Sequence, residues 1–212
     1  MRRRKERRTD TTPFASRPDL VAWLGEPQEP EHNPARTALE WMVVFAAATL
    51  FALLLQLTTA QVFTIPSGSM TPTLEVGDRV VVNKWSYRFG SPHRGDLVVF
   101  TRPKGFDTGD DDLIKRVVAT AGETVTIADN RLLVDGVPLD EPYLPEGTPT
   151  LPVGDHPCTT DAPCVIPDGH VWVMGDNRTN STDSRYFDSI PVSSIVGQAE
   201  LCIWPLSRAG RL

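Results

Sequence analysis

Two incompatible hydrophobic patterns run along this chain. From Trp41 to Leu55 (WMVVFAAATLFALLL) no residue is charged, and charge does not return until Glu75. Trp41 through Phe63 makes 23 residues, enough to cross a hydrocarbon core about 30 Å thick, with Gln56, Thr58, Thr59 and Gln61 near the far end where an interface can solvate them. A soluble core helix more often carries an apolar run of about 10–14 residues. The cluster Met1–Arg8 (MRRRKERR) precedes the run, whereas the next basic residue after it is Arg79. Cytoplasmic flanks are enriched in Lys and Arg, so the N-terminus is expected inside and everything beyond residue 64 outside. Thr58-Thr59-Ala60 loosely imitates a signal-peptide cleavage site, but the region ahead of the apolar run is far longer than a usual basic leader. The run is therefore expected to be an uncleaved signal anchor over 38–63. Residues 1–37, rich in Pro, Thr, Glu and Arg, are expected to form a disordered cytoplasmic tail.

Beyond residue 64 the pattern changes to short β-branched runs separated by turn residues. Asp78–Asn83, Asp96–Thr101, Leu113–Ala119, Glu123–Ala128, Arg131–Val134, His170–Met174 and Ile195–Ile203 read as strands. Arg94-Gly95-Asp96, Ala121-Gly122-Glu123 and Asp135-Gly136 read as turns between them. Residues 137–168 form a Pro-rich excursion. The expected fold of 64–212 is one mainly β domain with antiparallel pairing.

Charge and composition narrow the function. Residues 64–212 hold 13 Lys and Arg against 20 Asp and Glu, with no basic stripe to neutralise phosphates, so a nucleic-acid partner is not expected. Nineteen prolines and fifteen glycines disfavour a helical bundle. Cys158 and Cys164 lie in the part expected outside the cell, where thiols oxidise, and are a disulfide candidate. They lack the paired spacing of a metal site, and Cys202, in the apolar run AELCIWPL, reads as a buried thiol.

Three segments hold candidate chemistry. Ile65–Leu74 (IPSGSMTPTL) sets two serines between glycine and prolines just past the apolar run. In LIKRVVA, strand alternation puts Lys115 on a face with Leu113 and Val117, and Arg116 opposite with Ile114 and Val118. A lysine held on an apolar face loses solvation, which lowers its pKa from about 10.4 and prepares it as a neutral base. Gly175–Arg185 (GDNRTNSTDSR) is a polar turn after a strand, in which Asp183 and Arg185 can pair. A Ser-His-Asp triad is the rival arrangement, but His93, His156 and His170 sit in no such motif, and His32 precedes the anchor.

In this order, PSGSMTPTL at 66–74, GDRVVVNK at 77–84, RGDLVVF at 94–100, IKRVVATAGE at 114–123 and GDNRTNSTDSR at 175–185 closely resemble bacterial type I signal peptidases. The resemblance covers the anchor and nearly all of 64–212. It implies the antiparallel β fold shared with self-cleaving repressors, and a membrane-bound serine endopeptidase that removes signal peptides from exported preproteins after small residues at −3 and −1. By position it makes Ser69 the nucleophile, Lys115 the general base, and Ser67 with the Ser69 backbone N–H the oxyanion hole. Ser181 falls where a hydroxyl orients the lysine amine, Gly175 where backbone packs close to it, and Asp183 and Arg185 where an ion pair supports the site. It implies no metal or organic cofactor, preprotein and lipid bilayer as partners, and action as a monomer. Trp85, Tyr87, Phe89 and Trp204 are candidates for an apolar rim that dips into the membrane. Cytosolic self-cleaving repressors carry a DNA-binding half, against which the anchor argues. A tethered binding domain without catalysis leaves the joint presence of Ser69 and Lys115 unexplained.

Overall fold

The computed structural model describes residues 34–106, 109 and 111–212; the first 33 residues of the tail expected over 1–37 lie outside the described residues. The chain divides into two compact units, one up to Leu50 and one from Phe51 to Leu212. Helix α1 spans Pro34–Thr59, so residues 34–37 are helical rather than tail. It ends four residues before the expected end of the anchor, because Ala60–Thr64 forms strand β1 instead. There Val62, Phe63 and Thr64 pair with Val81, Val80 and Arg79, a register that β-branched and aromatic residues suit. From Trp41 to Thr59 nineteen helical residues remain. At 1.5 Å each they rise ~28 Å, still about one hydrocarbon core.

The remaining strands are β2 (Arg79–Asn83), β3 (Leu97–Thr101), β4 (Asp112–Thr120), β5 (Thr124–Ala128), β6 (Arg131–Val134), β7 (Val137–Pro138), β8 (Cys164–Val165), β9 (His170–Met174), β10 (Ile190–Pro191), β11 (Ile195–Trp204) and β12 (Gly210–Arg211). A four-residue helix α2 (Ser184–Phe187) follows the polar turn. The main sheet has the order β1-β2-β11-β3-β4-β9-β10, with β12 on β11, and a second sheet has the order β7-β6-β5-β8. Every pairing is antiparallel, as the turn-punctuated pattern predicts. Each of the seven strands read from the sequence is present within a residue or so of its expected ends.

Apolar residues cover both faces of the main sheet. Ile65, Met70 and Leu74 pack with Val80, Val82, Leu97 and Ile114 in one core. Val98, Phe100, Leu113 and Val117 pack with Val171 and Ile190 in another. In a third, Val118, Trp172 and Met174 meet Val125, Ile127 and Leu132 of the second sheet. Strand β4 joins all three, and so its interior residues are buried without a break, including Lys115 and Arg116. Such a position forces each of those cations either to find a partner or to lose its charge.

The Pro-rich excursion is less open than its composition suggests. It contributes β7 and β8 to the second sheet, and Cys158 and Cys164 are joined in a disulfide with Cys158 inside the third core. Cys202 is a buried free thiol.

Candidate active site

The turn that carries Ser69 is fixed by its neighbours. Ile65 N–H donates to Asp78 and Gly77 N–H donates back to Ile65, closing the segment onto the start of β2. Gly68–Met70 then makes one 3-10 turn, and Met70 and Leu74 are sunk completely in the core on either side of Thr71-Pro72-Thr73. This apolar anchoring leaves Ser69 only 9% exposed. From the other side, Asn177 N–H donates to Ser69 O at 3.0 Å and its side-chain amide donates to Gly68 O at 3.1 Å.

Lys115 reaches this turn from the middle of β4. Its Nζ donates to Ser69 Oγ at 2.8 Å and to the Ile114 carbonyl at 2.9 Å, and the residue is 3% exposed. Burial lowers its pKa to about 8, against the opposing pull of Asp183 and Asp176, which favour the charged form. An amine in this state is half neutral near pH 8, where an ordinary lysine is almost wholly charged. Ser67 Oγ lies 3.3 Å from Ser69 Oγ. The three described histidines are engaged elsewhere, His93 beside Asp96, His156 beside Asp188, and His170 on the Asp168 carbonyl, while His32 lies outside the described residues.

Gly175 occupies a place no side chain could share. A Cβ there would lie 2.5 Å from Ser69 O and would collide with the Ser181 hydroxyl. Asp183 and Arg185 form a fully buried two-point pair, Nε to Oδ1 at 2.8 Å and Nη2 to Oδ2 at 2.9 Å, and Asp183 also accepts from Gly175 N–H. Ser181 is packed against Gly175 with its buried hydroxyl unpartnered. The amine of Lys115 is bonded to Ser69 and Ile114 instead, so the lysine–Ser181 hydrogen bond implied by the resemblance is not among its contacts.

A cleft of about 300 Å³ opens beside the pair. Phe63 to Ser67 line one side and Asp111 to Lys115 the other, with Val99 between them in the lining. These walls come from β1 and β4, which are separated in the sheet by β2, β11 and β3, so the sheet curls until the two strands share one cleft. β1 is also an edge strand, whose free backbone groups can take an added strand.

The family model described as signal peptidase, peptidase S26, matches residues 38–204. The chain belongs to that family. Signal peptidase I of Mycobacterium tuberculosis is 35% identical, over 95% of this chain and 85% of the relative. The probable signal peptidase I-1 of a Synechocystis strain is 41% identical over 86% and 91%. Signal peptidase IB of Staphylococcus aureus is 37% identical over 80% and 91%. The protein is thus a signal peptidase I hydrolase, and with an apolar helix long enough to span a bilayer it is a membrane-anchored one.

Sequence reasoning passed over the ionic scaffold of this signal peptidase. Arg116 pairs at two points with Asp176, and Thr73 donates to the same carboxylate. Arg178 pairs with Glu141 of the excursion. Arg116 gave a signal, since a guanidinium inside an apolar strand requires a carboxylate. Its partner, sixty residues away in the chain, had none. The expected rim divides. Phe89 is 86% exposed, and Trp85 and Trp204 are also exposed, together with Leu206. Tyr87 is not part of it: the ring packs against the core of Val98 and Phe100, and its hydroxyl donates to Asp96.

Proposed function

We propose that this protein cuts signal peptides from exported preproteins through an acyl-enzyme on Ser69, with Lys115 as the general base. The observation that carries this reading is the buried 2.8 Å contact between Lys115 Nζ and Ser69 Oγ. Serine is a weak nucleophile until a base takes its proton during attack. With its pKa lowered to about 8, the neutral amine is available near working pH and lies on the line of that proton.

The substrate enters the cleft as an extended strand between β1 and β4. Ser69 Oγ bonds to the scissile carbonyl carbon while its proton passes to Lys115. The Ser69 N–H and the Ser67 hydroxyl stabilise the oxyanion, a contribution of about 10²–10³ in rate for such a donor. The C–N bond breaks, and the Lys115 proton goes to the departing amine of the mature protein. Water then attacks the ester, Lys115 takes its proton, and Ser69 recovers a hydrogen as the signal peptide leaves.

Ser181 takes the amine-orienting role in this reading; its buried, unpartnered hydroxyl beside the Ser69 turn supports that place. Asp183 and Arg185 hold Gly175 against it. The apolar side chains of the cleft, Phe63, Ile65, Val99, Leu113 and Ile114, suit small apolar side chains at −1 and −3. The N-terminus lies in the cytoplasm and the β unit outside. Ser69 follows the end of α1 by only ten residues, which suits a cleavage site at the membrane surface. The exposed Trp85, Phe89, Trp204 and Leu206 suit the same surface.

The test is cleavage of a purified preprotein by the full chain in detergent, beside Ser69→Ala and Lys115→Ala. Release of the signal peptide by the parent and no measurable release by either folded variant is the expected result. Near-parent activity of Lys115→Ala assigns the base to another residue and ends this mechanism.

A further inference from the structure

Two buried guanidiniums stand behind the catalytic pair, and both are held from the Pro-rich excursion. Arg116, adjacent to Lys115 on β4, donates to Asp176 from Nε at 2.9 Å and from Nη2 at 2.7 Å, and to Gly95 O from Nη1 at 2.8 Å. The ring of Tyr143 stacks on this guanidinium, 3.9 Å from carbon to centroid. Arg178 donates from Nε to Gly175 O at 3.1 Å, from Nη1 to Thr150 Oγ1 at 2.6 Å and to Glu141 Oε2 at 3.0 Å, and from Nη2 to Glu141 Oε1. The Tyr143 hydroxyl donates to that same Oε1 at 2.7 Å. Glu141 and Tyr143, two residues apart, thus join both guanidiniums into one cluster.

The cluster leads directly to the reacting atoms. Asp176 is tied to the nucleophile turn through Thr73, whose hydroxyl donates to Oδ2 at 2.6 Å. Its neighbour Asn177 binds the carbonyls of Gly68 and Ser69. Gly175, whose carbonyl Arg178 holds, packs against Ser69 O and Ser181. A shift of either guanidinium therefore moves the Lys115 strand or the Ser69 turn, and a misplacement of about 1 Å can cost about 10²-fold in rate.

We propose that Glu141 and Tyr143 are positioning residues for the Ser69–Lys115 pair: they fix Arg116 and Arg178, which in turn set the register between β4, the Ser69 turn and the Gly175 loop. This rests on the dyad mechanism above. Neither residue touches Ser69 or Lys115, so they act only through the two arginines. The excursion on this view is part of the catalytic apparatus and not a loop that the fold merely tolerates.

The charge around Lys115 supplies a readout that a purely structural role lacks. Asp176 and Asp183 both favour its charged form, and Arg116 and Arg185 are paired with them; Arg178 and Glu141 complete the charged set behind the loop. Loss of the Tyr143 ring loosens Arg116, leaves Asp176 less neutralised and pushes the Lys115 pKa up. The acid limb of the pH–rate profile then moves to higher pH.

The experiment compares the full chain in detergent with Tyr143→Leu, Tyr143→Phe and Glu141→Gln, measuring kcat and KM on a signal-peptide substrate across pH. Thermal unfolding and near-ultraviolet circular dichroism give the folded fraction. Expected are a fall in kcat of about tenfold or more for Tyr143→Leu and Glu141→Gln, with KM within about twofold of the parent. The acid limb should rise for Tyr143→Leu, and Tyr143→Phe, which keeps the stack, should recover most of kcat. If Tyr143→Leu does not fold, Glu141→Gln decides the matter through kcat per folded enzyme. Parent kcat and parent acid limb in the folded variants, even with lowered thermal stability, overturn the proposal. Activity surviving in Lys115→Ala, measured alongside, would instead overturn the dyad on which it rests.

Discussion

Lys115 and Arg116 are consecutive on β4 and both buried, yet they stand in opposite electrostatic regions. On the side of the cleft, Lys115 meets a serine hydroxyl and a backbone carbonyl, with no carboxylate in contact, and burial lowers its pKa to about 8. On the side of the Gly175 loop, Arg116 meets Asp176 at two points, and Arg185 meets Asp183 in the same way. The same loss of water thus yields a group ready to give up its charge in one region and a fixed ion pair in the other. What separates them is the presence of a carboxylate and the chemistry of the cation, since guanidinium stays protonated where an amine yields. Asp176 and Asp183, the carboxylates that act on Lys115, are held by Arg116 and Arg185, and this is what permits Lys115 to be neutral.

The strongest way to break that contrast is Lys115→Arg. The length is similar, but the charge becomes permanent and the base is lost. Signal-peptide release should fall by about 10⁴-fold, ~5.5 kcal/mol of transition-state stabilisation. A rate within tenfold of the parent in single-turnover cleavage would show that a neutral side chain at 115 is not required. Next comes the paired region. Asp183→Ala leaves the Arg185 guanidinium buried without its carboxylate and frees Gly175 N–H, and it should destabilise the β unit by about 3–5 kcal/mol. Chemical unfolding followed by tryptophan fluorescence measures this. A change below about 1 kcal/mol would mean that the pair is no better than a surface one.

The two regions also differ in how much of them the sequence reveals. β-branched runs such as DRVVVN and DLVVFT mark strands because their apolar alternation and flanking turns are local properties. β1 escaped because Ala60-Gln61-Val62-Phe63 continues an uncharged run, and lack of charge alone does not separate the end of a membrane helix from the start of an edge strand. Ser67, Ser69, Lys115, Gly175, Ser181, Asp183 and Arg185 sit in short motifs, and the structure gathers them around one turn. Glu141 and Tyr143 carry no such mark. Their partners are chosen by the folding of an excursion whose composition says only that it is rich in proline, so the ionic scaffold was legible at its arginines and not at what they bind.

The smallest effect bears on what burial costs the amine. Below pH 8 Lys115 is mostly protonated in both folded and unfolded chains, and the folded state holds a charge away from water. Its folded pKa lies below the ordinary 10.5, so between about 8 and 10.5 the unfolded chain binds more protons, and the parent gains stability as pH rises through that window. Lys115→Met removes the charge and keeps an unbranched side chain of similar length. The variant should melt a few degrees above the parent at pH 6–7, given about 2–4 °C per kcal/mol for a unit of this size. The difference should narrow from pH 8 upward and be smallest above pH 10.5. Arg116→Met, in the other region, should lower the melting temperature at every pH in this range, because it abandons Asp176 inside the protein. Opposite signs for the two neighbours in parallel thermal melts are the expected result. Destabilisation by both substitutions at pH 6–7 would mean that Lys115, like Arg116, is held as a compensated charge.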